Sequence, residues 1–229
     1  MSNKIELAVF DMAGTTVDEQ NVVYKTLQQA IVNENISVDL NTVLVHGAGK
    51  EKHQAIKDVL RFLNIEDKDS LMIFNNFKSM LNQAYEVLDV KPIKGAKEAL
   101  QNLKNRGVKT VLNTGYSRDV AIKLLHKMNW KEGVEYDALI TASDVKNGRP
   151  QPEMIEKAME LFKITDALKV LKIGDSIIDI EEGKNANCGV TIGVLSGAQT
   201  RAQLITAKPS YILNSIEELA EVLWLNGSK

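Results

Sequence analysis

The sequence predicts an α/β fold: a parallel sheet with helices on both faces, interrupted after its first strand by a small all-helical lobe. Three observations predict it. The apolar run Leu7-Ala8-Val9-Phe10 ends in Asp11-Met12-Ala13-Gly14-Thr15-Thr16-Val17-Asp18, the pattern of a buried strand that delivers a carboxylate to the carboxyl edge of a sheet. Beyond about residue 95, short apolar runs alternate with helical periodicity, as in a sheet built from crossover units. Between these regions, residues 19–90 carry helical spacing and no convincing strand.

Taken in order, residues 20–33 place Val23, Leu27, Ala30 and Ile31 on one helical face. Ile56, Val59, Leu60 and Leu63 form a second stripe, and Leu71, Phe74, Phe77, Leu81 and Val87 predict one or two further helices. Such stripes are core faces rather than cofactor boxes. Lys91-Pro92-Ile93-Lys94-Gly95 then punctuates the chain. Strands are expected at 108–112, 138–140, 170–173 and 190–194, with helices from about residues 118, 152 and 178 and over 215–223. The domain expectation is a core of 1–18 with 91–229 and a helical lobe of 19–90.

The 229 residues suffice for one α/β domain with a sizeable insertion. A net charge of -2 and a pI near 6.0 offer no basic field for nucleic acid or an anionic membrane, so a small soluble molecule is the expected partner. No apolar segment approaches membrane-spanning length. The first ten residues, with Lys4 and Glu6, are too short and too charged for a signal peptide. The single cysteine, Cys188, excludes an internal disulfide framework, fits a reducing cytoplasm and reads as a buried structural thiol. Nothing in the sequence fixes the oligomeric state, and a homodimer is left open.

Four stretches at predicted strand ends converge. Asp11 suits a nucleophile or a metal ligand, and Gly14 permits a tight turn whose amides are expected to face an anion. Thr114-Gly115-Tyr116-Ser117-Arg118 sets a hydroxyl and amides ahead of a helix, where a phosphoryl group could bind. In Gly148-Arg149-Pro150-Gln151-Pro152, two prolines hold the basic side chain ahead of them on a stiff approach to a helix. Gly174-Asp175-Ser176-Ile177-Ile178-Asp179 brings two more acids, which together with Asp11 suit an oxygen-loving cation such as Mg²⁺.

In this order, Asp11 with Gly14-Thr15, then Thr114, Arg149 and the Gly174 to Asp179 acids, resemble the four motifs of the haloacid dehalogenase superfamily across nearly the whole chain. The resemblance implies a Rossmann-like core with the helical insert as a cap. It implies that Asp11 attacks phosphorus and that Thr15, Thr114, Gly115, Tyr116 and Arg149 hold the phosphoryl oxygens. Asp11, Asp175 and Asp179 would bind Mg²⁺. Such a site suits phosphoryl transfer, which is mainly positioning and charge neutralisation.

Two departures narrow the resemblance. Ala13 stands where most phosphatases of the superfamily carry a second Asp, and Arg149 replaces the usual lysine of the third motif. Both are similar to the phosphonatase (phosphonoacetaldehyde hydrolase) branch, in which the metal would see only the backbone carbonyl of Ala13. The cap stretch His46-Gly47-Ala48-Gly49-Lys50-Glu51-Lys52-His53 is similar too, although His46 and Ala48-Gly49 depart from that branch. The resemblance implies that Lys50 forms a Schiff base with a substrate carbonyl and that His53 moves protons, with the two at i and i+3 on one helical face. Lys52 matches nothing and is expected to be a surface charge.

A C–P bond has a poor carbon leaving group, and a protonated imine beta to phosphorus gives its electrons a destination. The expected substrate is therefore a small carbonyl phosphonate. The rival substrate is a small phosphate monoester, for which Asp11, Thr114, Arg149 and Asp175 suffice. A binding protein that retains the pocket without turnover is a third class, opposed by the intact acids and Arg149.

Overall fold

The computed structural model describes residues 4–48, 50–65 and 68–224. Strand β1 (Leu7–Asp11) is buried along its whole length, and β2 (Val17–Asp18) follows after a tight turn. Four helices come next: α1 (Val22–Val32), α2 (Leu40–Gly47), α3 (Lys52–Phe62) and α4 (Ser70–Val87). The chain continues through β3 (Lys91–Pro92), α5 (Ala96–Asn105), β4 (Lys109–Thr114), α6 (Arg118–Lys127), β5 (Ala138–Thr141) and α7 (Glu153–Phe162). It closes with β6 (Val170–Gly174), α8 (Ile177–Asn185), β7 (Val190–Val194), α9 (Arg201–Leu204), β8 (Tyr211–Leu213) and α10 (Leu219–Trp224). It divides into two compact units, Met1–Asp18 with Val90–Lys229, and Glu19–Asp89.

In the first unit six strands form one parallel sheet in the order β5-β4-β1-β6-β7-β8, and β2 and β3 pair antiparallel in a separate two-stranded ladder. Leu7 and Val9 face one side of β1 and Ala8 and Phe10 the other. All four are fully buried, so helices cover both faces, as a parallel sheet requires. One core cluster joins Leu7, Val9, Val111, Ile140 and Val170 to Met154, Ile155 and Ala158 of α7. The chain order runs outward from β1 to β5 on one side, then crosses back to β6 on the other. The carboxyl ends of β1 and β6 therefore flank a topological switch point, where such sheets bind ligands.

The second unit is four helices. Asp39, Glu51 and Asp69 cap α2, α3 and α4, each accepting from backbone N–H groups of the first turn. Residues 70–87 form one helix, within the one or two expected, but its buried face, Ile73, Phe77, Leu81 and Tyr85, corrects the expected stripe. Leu71 and Val87, expected on that face, are 54% and 85% exposed. Helices α2 and α5 and strand β8 were not expected from the pattern.

Candidate active site

The turn after β1 consumes its own amides. Thr15, Thr16 and Val17 all donate to the Met12 carbonyl, and the Gly14 N–H donates to the Val17 carbonyl. The expectation that these amides face an anion is therefore wrong at Gly14, Thr15 and Thr16: their donors close the turn. Gly14 has φ +82°, and a Cβ there would fall 2.6 Å from Asp175 Oδ2, so no larger residue fits. The Thr15 side chain is wholly buried, and its Oγ1 has no hydrogen-bond partner.

Asp11, Asp175 and Asp179 come together from the ends of β1 and β6 and the first turn of α8. Each is buried and offers an oxygen within 4.8 Å of the others. Asp179 lies over Gly174, where any side chain would collide with it, and its Oδ2 accepts from Ser176 Oγ at 2.6 Å and Ser176 N at 3.2 Å. Asp175 Oδ2 accepts from the Ala198 N–H, and Ser196 Oγ donates to the Gly14 carbonyl at 2.7 Å. The loop after β7 thus braces both the turn after β1 and the acid that follows β6. Sequence reasoning did not single it out.

Arg149 bridges the acids. Its Nη1 donates to Asp11 Oδ1 at 2.6 Å and to Asp179 Oδ1, while its buried Nε has no partner. A Cβ at Gly115 would sit 3.1 Å from Arg149 Nη2, so Gly115 leaves room for the guanidinium. Thr114 is buried with its Oγ1 accepting from the Tyr116 N–H at 3.2 Å, and the Tyr116 carbonyl accepts from Ala142 N.

A lysine that pattern reading passed over lies beneath this cluster. Lys172, in the middle of β6, is 1% exposed; its ammonium reaches Glu182 Oε2 at 2.9 Å, Asn113 Oδ1 at 3.0 Å and Asp179 Oδ1 at 3.1 Å. Asn113 Nδ2 in turn donates to Glu182 Oε1 at 2.9 Å. The available signal was a lysine inside a strand buried on both faces, a position that demands an internal acid.

The electrostatics follow from this crowding. Burial, then Asp179, pushes Asp11 up to about 6 against the pull of Arg149 and Lys172. Burial with Asp11 and Asp179 drives Asp175 well above the carboxylate range. Burial opposes charge on Asp179 too, but Arg149, Lys172 and the Ser176 hydrogen bond outweigh it and hold it at about 2. With every group ionised, Asp11, Asp175, Asp179 and Glu182 face Arg149 and Lys172, an excess of two negative charges. An all-oxygen donor set with that excess fits one hard divalent cation, Mg²⁺ foremost.

In the helical unit, Lys50 and His53 do not share a helical face. Glu51 caps α3, accepting from the N–H groups of His53 and Gln54 at 2.9 Å, so Lys50 precedes the helix. Its Nζ instead contacts Asp58 Oδ2 at 2.6 Å, while Gln54 and Arg61 hold Asp58 Oδ1 at 2.8 and 3.0 Å. His53 Nε2 lies 3.1 Å from Ser70 Oγ, and its ring stacks on Phe74 at 5.2 Å. Lys52 is more than a surface charge: it donates to the Lys50 carbonyl at 2.9 Å and lies over the Tyr24 ring. Gly49 lies outside the described residues.

The family model of haloacid dehalogenase-like hydrolases matches residues 8–193. The chain belongs to that family. Phosphonoacetaldehyde hydrolase of Bacillus thuringiensis (strain Al Hakam) is 31% identical over 207 residues, covering 85% of this chain and 77% of the relative. This places the chain in the phosphonatase-like branch. The crystal structure of a phosphonoacetaldehyde hydrolase-like protein from Oleispira antarctica superposes with a TM-score of 0.81 at 22% identity, covering 97% of this chain and 92% of that one. A structure described as a predicted phosphoglycolate phosphatase from Haemophilus somnus 129PT gives 0.76 at 18% identity, covering 95% and 97%. The protein is a hydrolase with the α/β fold of its family. No helix among the described residues is long and apolar enough to cross a membrane.

Proposed function

We propose that the protein cleaves the C–P bond of a small carbonyl phosphonate, phosphonoacetaldehyde or a close relative, through an aspartyl-phosphate and a lysine imine. The observation that carries this reading is Ala13. A phosphate monoesterase of this design protonates its leaving oxygen from an acid two residues after the nucleophile. Here that position has only a methyl group, and the acids around Asp11 face two cations and one another. C–P cleavage through an imine needs no acid there. The name of the Bacillus relative supports the same reading.

In the proposed sequence, the neutral amine of Lys50 adds to the carbonyl, water leaves and a protonated imine remains. Asp11 attacks phosphorus; the C–P bonding pair moves toward the imine nitrogen and leaves an enamine, while Asp11 keeps the phosphoryl group. Arg149, Thr114 and Thr15 hold the phosphoryl oxygens, with Gly115 and Tyr116 shaping their loop. Water then splits the acyl phosphate, and protonation and hydrolysis of the enamine return Lys50 and release the aldehyde. His53, tied to Ser70, is the proton carrier for the imine steps. Asp11, Asp175 and the Ala13 carbonyl, with Asp179 behind them, would hold Mg²⁺, which supplies charge neutralisation at the phosphoryl oxygens. The setting is the cytoplasm, where Cys188 stays a thiol.

Borohydride added with phosphonoacetaldehyde should inactivate the enzyme and place the added mass on the peptide containing Lys50. Lys50→Arg keeps the charge but forms no imine, and should lose phosphonate cleavage. An enzyme that turns over phosphonoacetaldehyde without labelling, with Lys50→Arg still active, contradicts the imine. Mg²⁺-dependent turnover of phosphate monoesters alone makes it a phosphatase, the activity in the description of the Haemophilus somnus neighbour.

A further inference from the structure

Two cations share a single oxygen. Asp179 Oδ1 accepts from Arg149 Nη1 on the side of the acid cluster and meets Lys172 Nζ at 3.1 Å from beneath. They differ in what else they can do. The Arg149 side chain is 11% exposed, bonds Asp11 Oδ1 as well and retains an unpartnered Nε. Lys172 is 1% exposed, with Asn113, Asp179 and Glu182 around its ammonium.

The fold fixes Lys172 in that slot. Helix α8 lies close on β6 and β7 because residue 183 is glycine: a Cβ there would fall 2.7 Å from Thr191 Cγ2 and 2.8 Å from Lys172 Cβ. Asp179 and Glu182, three apart on α8, therefore face the strand together, and Asn113 of β4 closes the third side. Burial opposes the charge on Lys172, but Glu182 and then Asp179 outweigh it, so the ammonium is a standing cation. It cannot reach a substrate.

We propose that Lys172, fixed by Glu182 and Asn113, is a positioning residue: it remains the counter-cation of Asp179 when Arg149 turns to the phosphoryl group. The inference rests on the reading above that this site takes a phosphoryl group. Without Lys172, Asp179 is a buried carboxylate whose one remaining cationic side chain is Arg149, and every anion that binds must compete with Asp179 for the guanidinium. The expected defect is in anion affinity more than in the chemical step.

The test is inorganic phosphate binding, measured calorimetrically at saturating Mg²⁺. Lys172→Met alone leaves Glu182 buried beside a methyl group and confounds folding with binding, so the informative variant is Lys172→Met with Glu182→Gln. This pair leaves the summed charge unchanged and retains an acceptor for Asn113 Nδ2, and of the two cationic side chains on Asp179 it removes only the one beneath. It should fold, as circular dichroism reports, and bind phosphate at least tenfold more weakly, with KM for the phosphonate rising by more than kcat falls. Lys172→Arg, which keeps the charge, should bind phosphate within threefold of wild type and carries the test should the double variant be unstable. A folded double variant with phosphate affinity within twofold of wild type overturns the inference, as does Lys172→Arg binding as weakly as the uncharged pair. A wild-type protein that binds no phosphate overturns the phosphoryl reading, and this inference with it.

Discussion

Replacing Asp11 by Asn should stabilise the metal-free protein at neutral and alkaline pH while abolishing turnover. Asp11 is pushed up to about 6 from an ordinary 3.8 by burial, then by Asp179. A raised folded value means that the folded state binds this proton more tightly than the unfolded chain. The associated stability is complete below pH 3.8 and is lost as pH rises through 6. The difference of about 2 units, at 1.36 kcal/mol each, sets an upper bound of about 3 kcal/mol lost by pH 8. Asn carries no proton to lose, and its amide oxygen can still accept from Arg149. For a chain of this length about 2–4 °C accompanies each kcal/mol, so the variant should melt several degrees above wild type at pH 8, and at most about 12 °C. The gap should narrow toward pH 5. Thermal melts of both proteins in EDTA over pH 5–8 provide the measurement. Mg²⁺ at about a hundred times its Kd should then return about 2.7 kcal/mol to wild type, and less to the variant that lacks one ligand. A metal-free Asp11→Asn protein that is less stable than wild type at pH 8, or a gap that does not change with pH, would refute the reasoning.

Gly174→Ala should lower the melting temperature by an amount equivalent to about 1–3 kcal/mol and weaken Mg²⁺ binding in parallel, because the new methyl group collides with Asp179; calorimetry reads both. Burial pushes the Cys188 thiol up to about 12. The residue is half-buried rather than buried as expected, so a disulfide reagent at pH 8 should label it much more slowly in the native protein than in denaturant, and equal rates would contradict the raised value. Asp58→Asn should change stability by less than about 1 kcal/mol, since the Lys50 side chain is 38% exposed and such pairs contribute little; a larger loss in denaturant titration would show that the Gln54 and Arg61 bonds to Asp58 hold α3.

The sheet, β8 apart, was legible because β1, β4, β5, β6 and β7 are short apolar runs, and Asp11, Thr114 and Asp175 end or follow three of them. Asp11 and Asp175 were legible for the same reason, since position at a strand end fixes where a side chain goes, whereas Arg149, in the loop between β5 and α7, was legible from the two prolines after it. Lys172 was not, because the run 170–173 reads as apolar around it. Only the sheet's closure on both faces reveals that the ammonium must be satisfied from within. Lys50 was placed on a helix because its spacing to His53 is helical, whereas Glu51 takes the cap and starts the helix after it. The turn amides of Gly14 to Thr16 were misassigned because a glycine-hydroxyl sequence serves anion binding and simple turn closure equally well; which one holds depends on the Met12 carbonyl. Helix α5 left a usable trace in Ala96, Ala99, Leu100 and Leu103, masked by the punctuation at Lys94-Gly95.

The two-residue ladder between β2 and β3 pairs Val17 with Pro92 and Asp18 with Lys91. The chain therefore leaves for the helical unit and comes back at neighbouring points, so the excursion is a closed detour from the sheet's standpoint. Holding the ends of such a detour together costs entropy that grows only with the logarithm of its length, about 0.6 kcal/mol per doubling. Lengthening, shortening or exchanging the helices barely taxes the sheet that carries the acids. Over evolutionary time, the helical unit and the sheet that carries the acids are free to change at different rates.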